Sequence, residues 1–252
     1  MVPGFAFIAT AVSSLFAQAT LVRYTRGRKP HELAWTVALA MFALASAALA
    51  SGSTTGWDNG TFRFFYLMGA VLDVPWLALG TIYLLLGTTV GRRVQWCLVG
   101  FTGLAVGVLL SAPMKPVSGD AIPVGKDVFD AFPRILAAVG SGLGATVVFV
   151  GAVWSVVRFA RARHRPGSAR MAGANGLIAA GTLVLSSGGL VQGLVGHDEA
   201  FALSLAVGIT VIYAGFLVAA RPVTGAALST VDDTDADAVD GTPSTRAEAL
   251  SS

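Results

Sequence analysis

Residues 62–87 read FRFFYLMGAVLDVPWLALGTIYLLLG, and the reading of the whole chain turns on them. The stretch is apolar and longer than the roughly 20 residues a helix needs to cross a bilayer. Near its middle stands an acid, Asp73, and two residues on stands Pro75. Steps of three and four from Tyr66 pick out Tyr66, Gly69, Asp73, Trp76, Gly80, Tyr83 and Gly87. Residues at that spacing share one helix face. The remaining faces are mostly Leu, Ala, Val, Ile and Met, so the polar and small stripe belongs against other helices and the apolar faces against lipid.

A carboxylate near the centre of a spanning helix costs about 2.5–3.5 kcal/mol on insertion scales. Asp73 is therefore either a working group or a packing group held by a neighbouring helix. Pro75 has no N–H, which predicts that the Val71 carbonyl loses its helical partner and that the helix kinks there. A freed carbonyl one turn from a carboxyl makes a polar pocket. Its candidate residues are Asp73, Tyr66, Trp76 and Tyr83, with Pro75 as the kink.

Composition extends this reading to the whole chain. The 252 residues are 54% hydrophobic and 12% charged, against about 25% charged in soluble domains. Mean hydropathy is +0.71. Seven apolar runs follow, at about 4–22, 33–51, 62–88, 94–112, 134–157, 172–194 and 199–220. The expected fold is all-α, a polytopic membrane protein built as a seven-transmembrane-helix bundle over residues 1–221. Charges follow the first run instead of preceding it, as Arg23, Arg26, Arg28 and Lys29. That order predicts an uncleaved first span, although Ala17-Gln18-Ala19 has the form of a cleavage site.

The basic residues set an orientation. With the N-terminus outside, 13 of the 17 Lys and Arg fall on the cytoplasmic side, and only Arg63, Lys115, Lys126 and Arg134 fall outside. The positive-inside rule then places the C-terminus inside. Arg far outnumbers Lys, and Ala and Gly are abundant, a composition expected of a GC-rich bacterial genome, so the expected location is the bacterial plasma membrane. The inner loops are short and basic, suited to the anionic leaflet and offering a docking face for a protein partner. Basic residues gathered at helix ends are no nucleic-acid signal. Residues 222–252 are rich in Asp, Ser, Thr and Ala and lack aromatics. They are expected to form a disordered acidic cytoplasmic tail.

The expected outer connections carry Asp58, Asp120, Asp127, Asp130, Asp198 and Glu199. The longest has three prolines and ends near Val128, Phe129 and Phe132, either dipping into the interface or lying as an ordinary loop. The whole set is either a ligand-binding cap or solvated connections. Glycine pairs at four-residue spacing, Gly87/Gly91, Gly103/Gly107, Gly140/Gly144 and Gly189/Gly193, predict close helix approach. Helix six carries a stripe of Asn175, Thr182, Ser186, Gly189 and Gly193, with Gln192 beside it; helix one offers Ser14 and Gln18. These are the expected partners of Asp73.

Several chemistries are excluded by position. The last run has no lysine for a retinal Schiff base. His31, His164 and His197 fall at helix ends or in loops, away from haem, intramembrane zinc or serine-hydrolase geometry. His197, Asp198 and Glu199 are adjacent and cannot all point one way. Cys97 stands alone, and no phosphate-binding loop is present. No enzyme activity, cofactor or metal is expected.

Residues 31–49, HELAWTVALAMFALASAAL, followed by 62–87, resemble the seven-helix sensor module of bacterial histidine kinases. The likeness lies in a Trp among small residues in helix two, an Arg and Tyr opening helix three, and the Pro75-Trp76 pair midway. It covers about residues 31–90 and implies a ligand-sensing bundle with an outside N-terminus. It departs where the short tail stands in place of an output domain. In composition the chain also resembles actinobacterial multi-pass membrane proteins. The expected function is a non-enzymatic sensor or ligand- or partner-binding bundle, with a polar site around Asp73. The alternatives are a small proton-coupled transporter using Asp73 and a structural subunit of a membrane assembly.

Overall fold

Why the helices close into a ring follows from where the small residues lie. The computed structural model describes residues 1–161, 168–195 and 197–220, with 193 and 195 described as backbone only. The expected acidic tail, Arg163, His164 and Arg165 lie outside the described residues. The long helices are α1 (Val2–Gly27), α2 (Pro30–Thr55), α4 (Asp73–Ser111), α6 (Ala131–Arg161), α7 (Ser168–Val195) and α8 (Asp198–Ala220). A short α3 (Asn59–Phe65) and a π-helical segment (Tyr66–Leu72) run directly into α4, and α5 (Gly125–Val128) is a single turn. No strand occurs among the described residues, which hold one isolated bridge between Met114 and Phe129.

Six helical units are long and apolar enough to cross a membrane, and the longest of them covers 53 residues. That unit breaks at Gly87, whose backbone (φ 82°, ψ 179°) is not helical. A residue with a Cβ is strained there, so glycine lets the chain reverse into a hairpin. Trp76 and Tyr83 tie the hairpin together: Trp76 Nε1 donates to Thr102 Oγ1 at 3.2 Å, and the Tyr83 hydroxyl donates to Gln95 Oε1. At the far end the Arg63 guanidinium donates to the carbonyls of Leu109, Leu110 and Ala112, where α4 has run out of helical donors. The chain is thus an all-helical, multi-pass membrane protein of six to seven long apolar helices.

Contacts run from α1 to α2, from α2 to α3, the π segment and α4, and from there to α6 and α7. α7 and α8 touch backbone to backbone: a Cβ on Gly181 would lie 2.7 Å from the Gly208 carbonyl. α8 then meets α1, where Phe16 packs on Tyr213 and Phe216.

Among the described glycines of the expected pairs, Gly140 and Gly144 make a close helix crossing; a Cβ there would meet the Val71 carbonyl at 2.8 Å and the Val74 carbonyl at 2.9 Å respectively. Gly103, Gly107 and Gly189 have open space beside them, and Gly91 packs on the Tyr83 ring within its own hairpin. The α1 face also differs from expectation. Its buried residues are Ala6, Ala9, Ser13, Phe16 and Thr20, while Ser14 and Gln18 are exposed. Lipid and core are both apolar, so hydropathy did not say which face turns inward.

Residues 112–130 pack back onto the bundle. Val128 and Phe129 are buried against Trp57 and Phe62, and only Phe132 is exposed. Backbone bonds from Trp57 N–H to the Gly119 carbonyl (2.8 Å) and from Lys115 N–H to the Val128 carbonyl (3.2 Å) hold this lid over one end of the bundle.

Candidate functional site

The π segment places Asp73. Its backbone N–H reaches back five residues, to the Met68 carbonyl. In that register the residue that should donate to the Ala70 carbonyl is Pro75, which has no N–H. The Ala70 carbonyl, one residue before Val71, is the one that a side chain from another helix reaches. Continued to Pro75, the five-residue spacing would leave the Ala70 carbonyl without a backbone donor. Ser141 of α6 supplies one, donating its hydroxyl to the Ala70 carbonyl at 2.6 Å. Gly140 and Gly144 on either side let α6 come that close.

Asp73 itself is buried, with 6% of its surface exposed. Its Oδ1 accepts the N–H of Val74 at 2.6 Å, and the carboxyl has no bond to any other described side chain. The reason is what it faces. Gly69 and Gly80, which flank Asp73 on its stripe, press on Ala45 and Trp35 of α2. Between those positions α2 carries Thr36, whose hydroxyl is bonded to Thr20 Oγ1 and the Glu32 carbonyl, and then residues 37–44, VALAMFAL, with no hydrogen-bonding side chain.

The expected partners are occupied elsewhere. Asn175 Nδ2 donates to the Met171 carbonyl at 2.9 Å, and Thr182 donates to the Ile178 carbonyl within α7. Gln192 Nε2 donates to Asp198 Oδ1 at 3.0 Å. Trp76 and Tyr83 serve the hairpin. Tyr66 packs its ring on Phe62 and Phe129 beneath the lid. The structure brings Asp73, Pro75 and Ser141 to one junction and leaves Asn175, Gln192, Tyr66 and Tyr83 outside it.

A second buried acid was missed. Glu32, in the first turn of α2, is 1% exposed. Its Oε1 accepts from Arg23 Nε at 2.8 Å, with His31 Nε2 at 3.7 Å. Glu32 Oε2 is buried and unpartnered, while the Arg23 guanidinium also lies over the Phe216 ring at 5.0 Å. This group joins α1, α2 and α8 at the end opposite the lid. The signal in the sequence was an acid just after Pro30 with an arginine nine residues before it.

At the lid end Asp58 caps α3. Its carboxyl accepts the Thr61 hydroxyl (2.5 Å) and the backbone N–H groups of Thr61 (3.1 Å) and Gly60 (2.8 Å). The Thr61 hydroxyl first, then those amides, holds Asp58 below its ordinary value of 3.8. Comparison with known protein families, curated proteins and solved structures finds no match for the chain.

Proposed function

We propose that the chain is a non-enzymatic seven-helix bundle of the plasma membrane, N-terminus outside and C-terminus inside. In this reading it binds a small ligand or partner at Asp73 and passes the change to proteins at its basic inner loops. One observation supports it: a buried carboxyl that, among the described residues, is bonded only to the backbone N–H of the next residue, Val74, at a junction between π and α register. Such a carboxyl keeps lone pairs for an external donor. π segments inside α-helices occur frequently at functional sites. Shifting the register by one residue would turn Asp73 relative to α2, so a ligand that prefers one register would move the helix.

The orientation rests on the charge count. Arg23, Arg26, Arg28, Lys29, Arg92, Arg93, Arg158 and Arg161 all fall at the ends of helices away from the lid. Cysteines placed at residues 2 and 252 should label from opposite sides of the membrane; labelling from one side overturns the seven-span reading.

Asp73→Asn tests the site. A working acid at an unfavourable position gives a variant as stable as wild type or more so, with signalling or partner binding lost. A fall in stability with partner binding intact means the acid only packs. A second reading, a proton-coupled transporter, draws on the interrupted helix beside Asp73, the kind of site at which membrane carriers bind coupling ions. Proteoliposomes that show proton flux in wild type and none in Asp73→Asn would favour it.

A further inference from the structure

We propose that a change at Asp73 leaves through α6, by way of one backbone carbonyl, that of Ala70, whose hydrogen bonding Asp73 and Ser141 decide between them. The proposal rests on the reading of Asp73 as the binding site and names the helix that answers to it.

Helical spacing gives the Ala70 carbonyl two backbone donors to choose from. In α spacing the donor is the N–H four residues on, at Val74. In the five-residue spacing of the π segment it is residue 75, and Pro75 has no N–H. Asp73 Oδ1 accepts the Val74 N–H at 2.6 Å. The Ser141 hydroxyl, from α6, donates to the Ala70 carbonyl at 2.6 Å. Asp73 thus holds the N–H that Ala70 takes in an α-helix, and Ser141 makes good the loss.

A carbonyl at bilayer depth has no water to turn to. The Ser141 bond is therefore worth most while Asp73 keeps the Val74 N–H. A ligand donor that takes Asp73 Oδ1 frees that N–H for Ala70. The Ser141 hydroxyl then adds to a carbonyl already satisfied, and α6 is held less firmly.

Little else that is polar ties α6 to this helix. Among the described residues the Ser141 bond is the only hydrogen bond from an α6 side chain to residues 59–111. The rest of the crossing is close packing, and it spans the register junction. Gly140 faces the Val71 carbonyl, in the π segment, and Gly144 faces the Val74 carbonyl, in α4. A change of register shifts these two contacts relative to each other. From there α6 continues to Arg158 and Arg161, both exposed, at the end away from the lid.

The test is a double-mutant cycle on the full chain in detergent. Ser141→Ala should lower the folded-to-unfolded ratio about tenfold in the wild-type background. In Asp73→Leu, where the Val74 N–H has no carboxyl to go to, it should lower it about threefold or less. Pulsed EPR reads α6 itself, with Cys97→Ser and spin labels on Val90→Cys and Val157→Cys, two exposed positions. Ser141→Ala should broaden the distance distribution, and should broaden it no further in Asp73→Leu. Equal factors in the two backgrounds overturn the proposal, as does an unaltered distribution in Ser141→Ala. Either result leaves the binding reading standing, because neither measurement adds a ligand; partner binding by Asp73→Asn tests that reading separately. Should Asp73→Leu fail to fold, Asp73→Ala replaces it, and the EPR comparison of Ser141→Ala with wild type decides without any change at Asp73.

Discussion

The hydroxyl of Ser141 bonds the carbonyl of Ala70 at 2.6 Å, from a neighbouring helix, five residues before Pro75, which has no N–H to donate. Ser141→Ala should therefore cost about 1–3 kcal/mol, because it strands a buried acceptor. Thermal unfolding in detergent checks this; an unchanged midpoint would mean that Ala70 finds another donor.

The same relationship predicts coupling with Pro75. Pro75→Ala returns an N–H to the position that the Ala70 carbonyl faces in the five-residue register. Ser141→Ala should then be milder in the Pro75→Ala background than alone, with an interaction energy of about 0.5–3 kcal/mol. A double-mutant cycle on unfolding free energies reads it directly, and strict additivity would falsify the π-register account.

Gly144→Ala should destabilise by about 1–3 kcal/mol through overpacking. The new Cβ would lie 2.9 Å from the Val74 carbonyl and 3.0 Å from the Pro75 nitrogen, and backbone there has little room to yield. Gly103→Ala has open space and should be neutral, or gain up to about 1 kcal/mol from helix propensity. The contrast between the two variants is the measurement.

Arg23→Met should cost roughly 3 kcal/mol, by leaving the Glu32 carboxylate buried and uncompensated. The value is taken at the low end of the range because 45% of the Arg23 side chain is uncovered. Glu32→Gln combined with Arg23→Met should recover part of the loss. No recovery would show that Arg23 acts through Phe216 instead.

Asp58 gives a pH dependence. Its folded value is lowered, so the carboxylate's contribution is complete above the ordinary value of 3.8 and disappears as pH falls through the folded one. Protection of the Gly60 and Thr61 amides from hydrogen exchange should drop over that acid window in wild type. In Asp58→Ala it should be low already at neutral pH.

Much of this was legible before any contact was known. Hydropathy and helix length required the membrane spans. The spacing in residues 62–87 isolated Asp73 beside a proline, because a period near 3.6 and a missing N–H are properties of the chain alone. The pairing of faces was not legible. Ser13 and not Ser14 turns inward, and Asn175 and Gln192 bond the Met171 carbonyl and Asp198 instead of Asp73. Apolar residues suit lipid and core equally, so periodicity alone leaves the rotation of each helix open. That a side chain of α6 would reach the Ala70 carbonyl depended on the approach of Gly140 and Gly144, which places Ser141 there. The lid depended on contacts between segments far apart in the chain, Trp57 with Gly119 and Ile122 with Asp198. No local pattern encodes those; only the folded bundle brings them together.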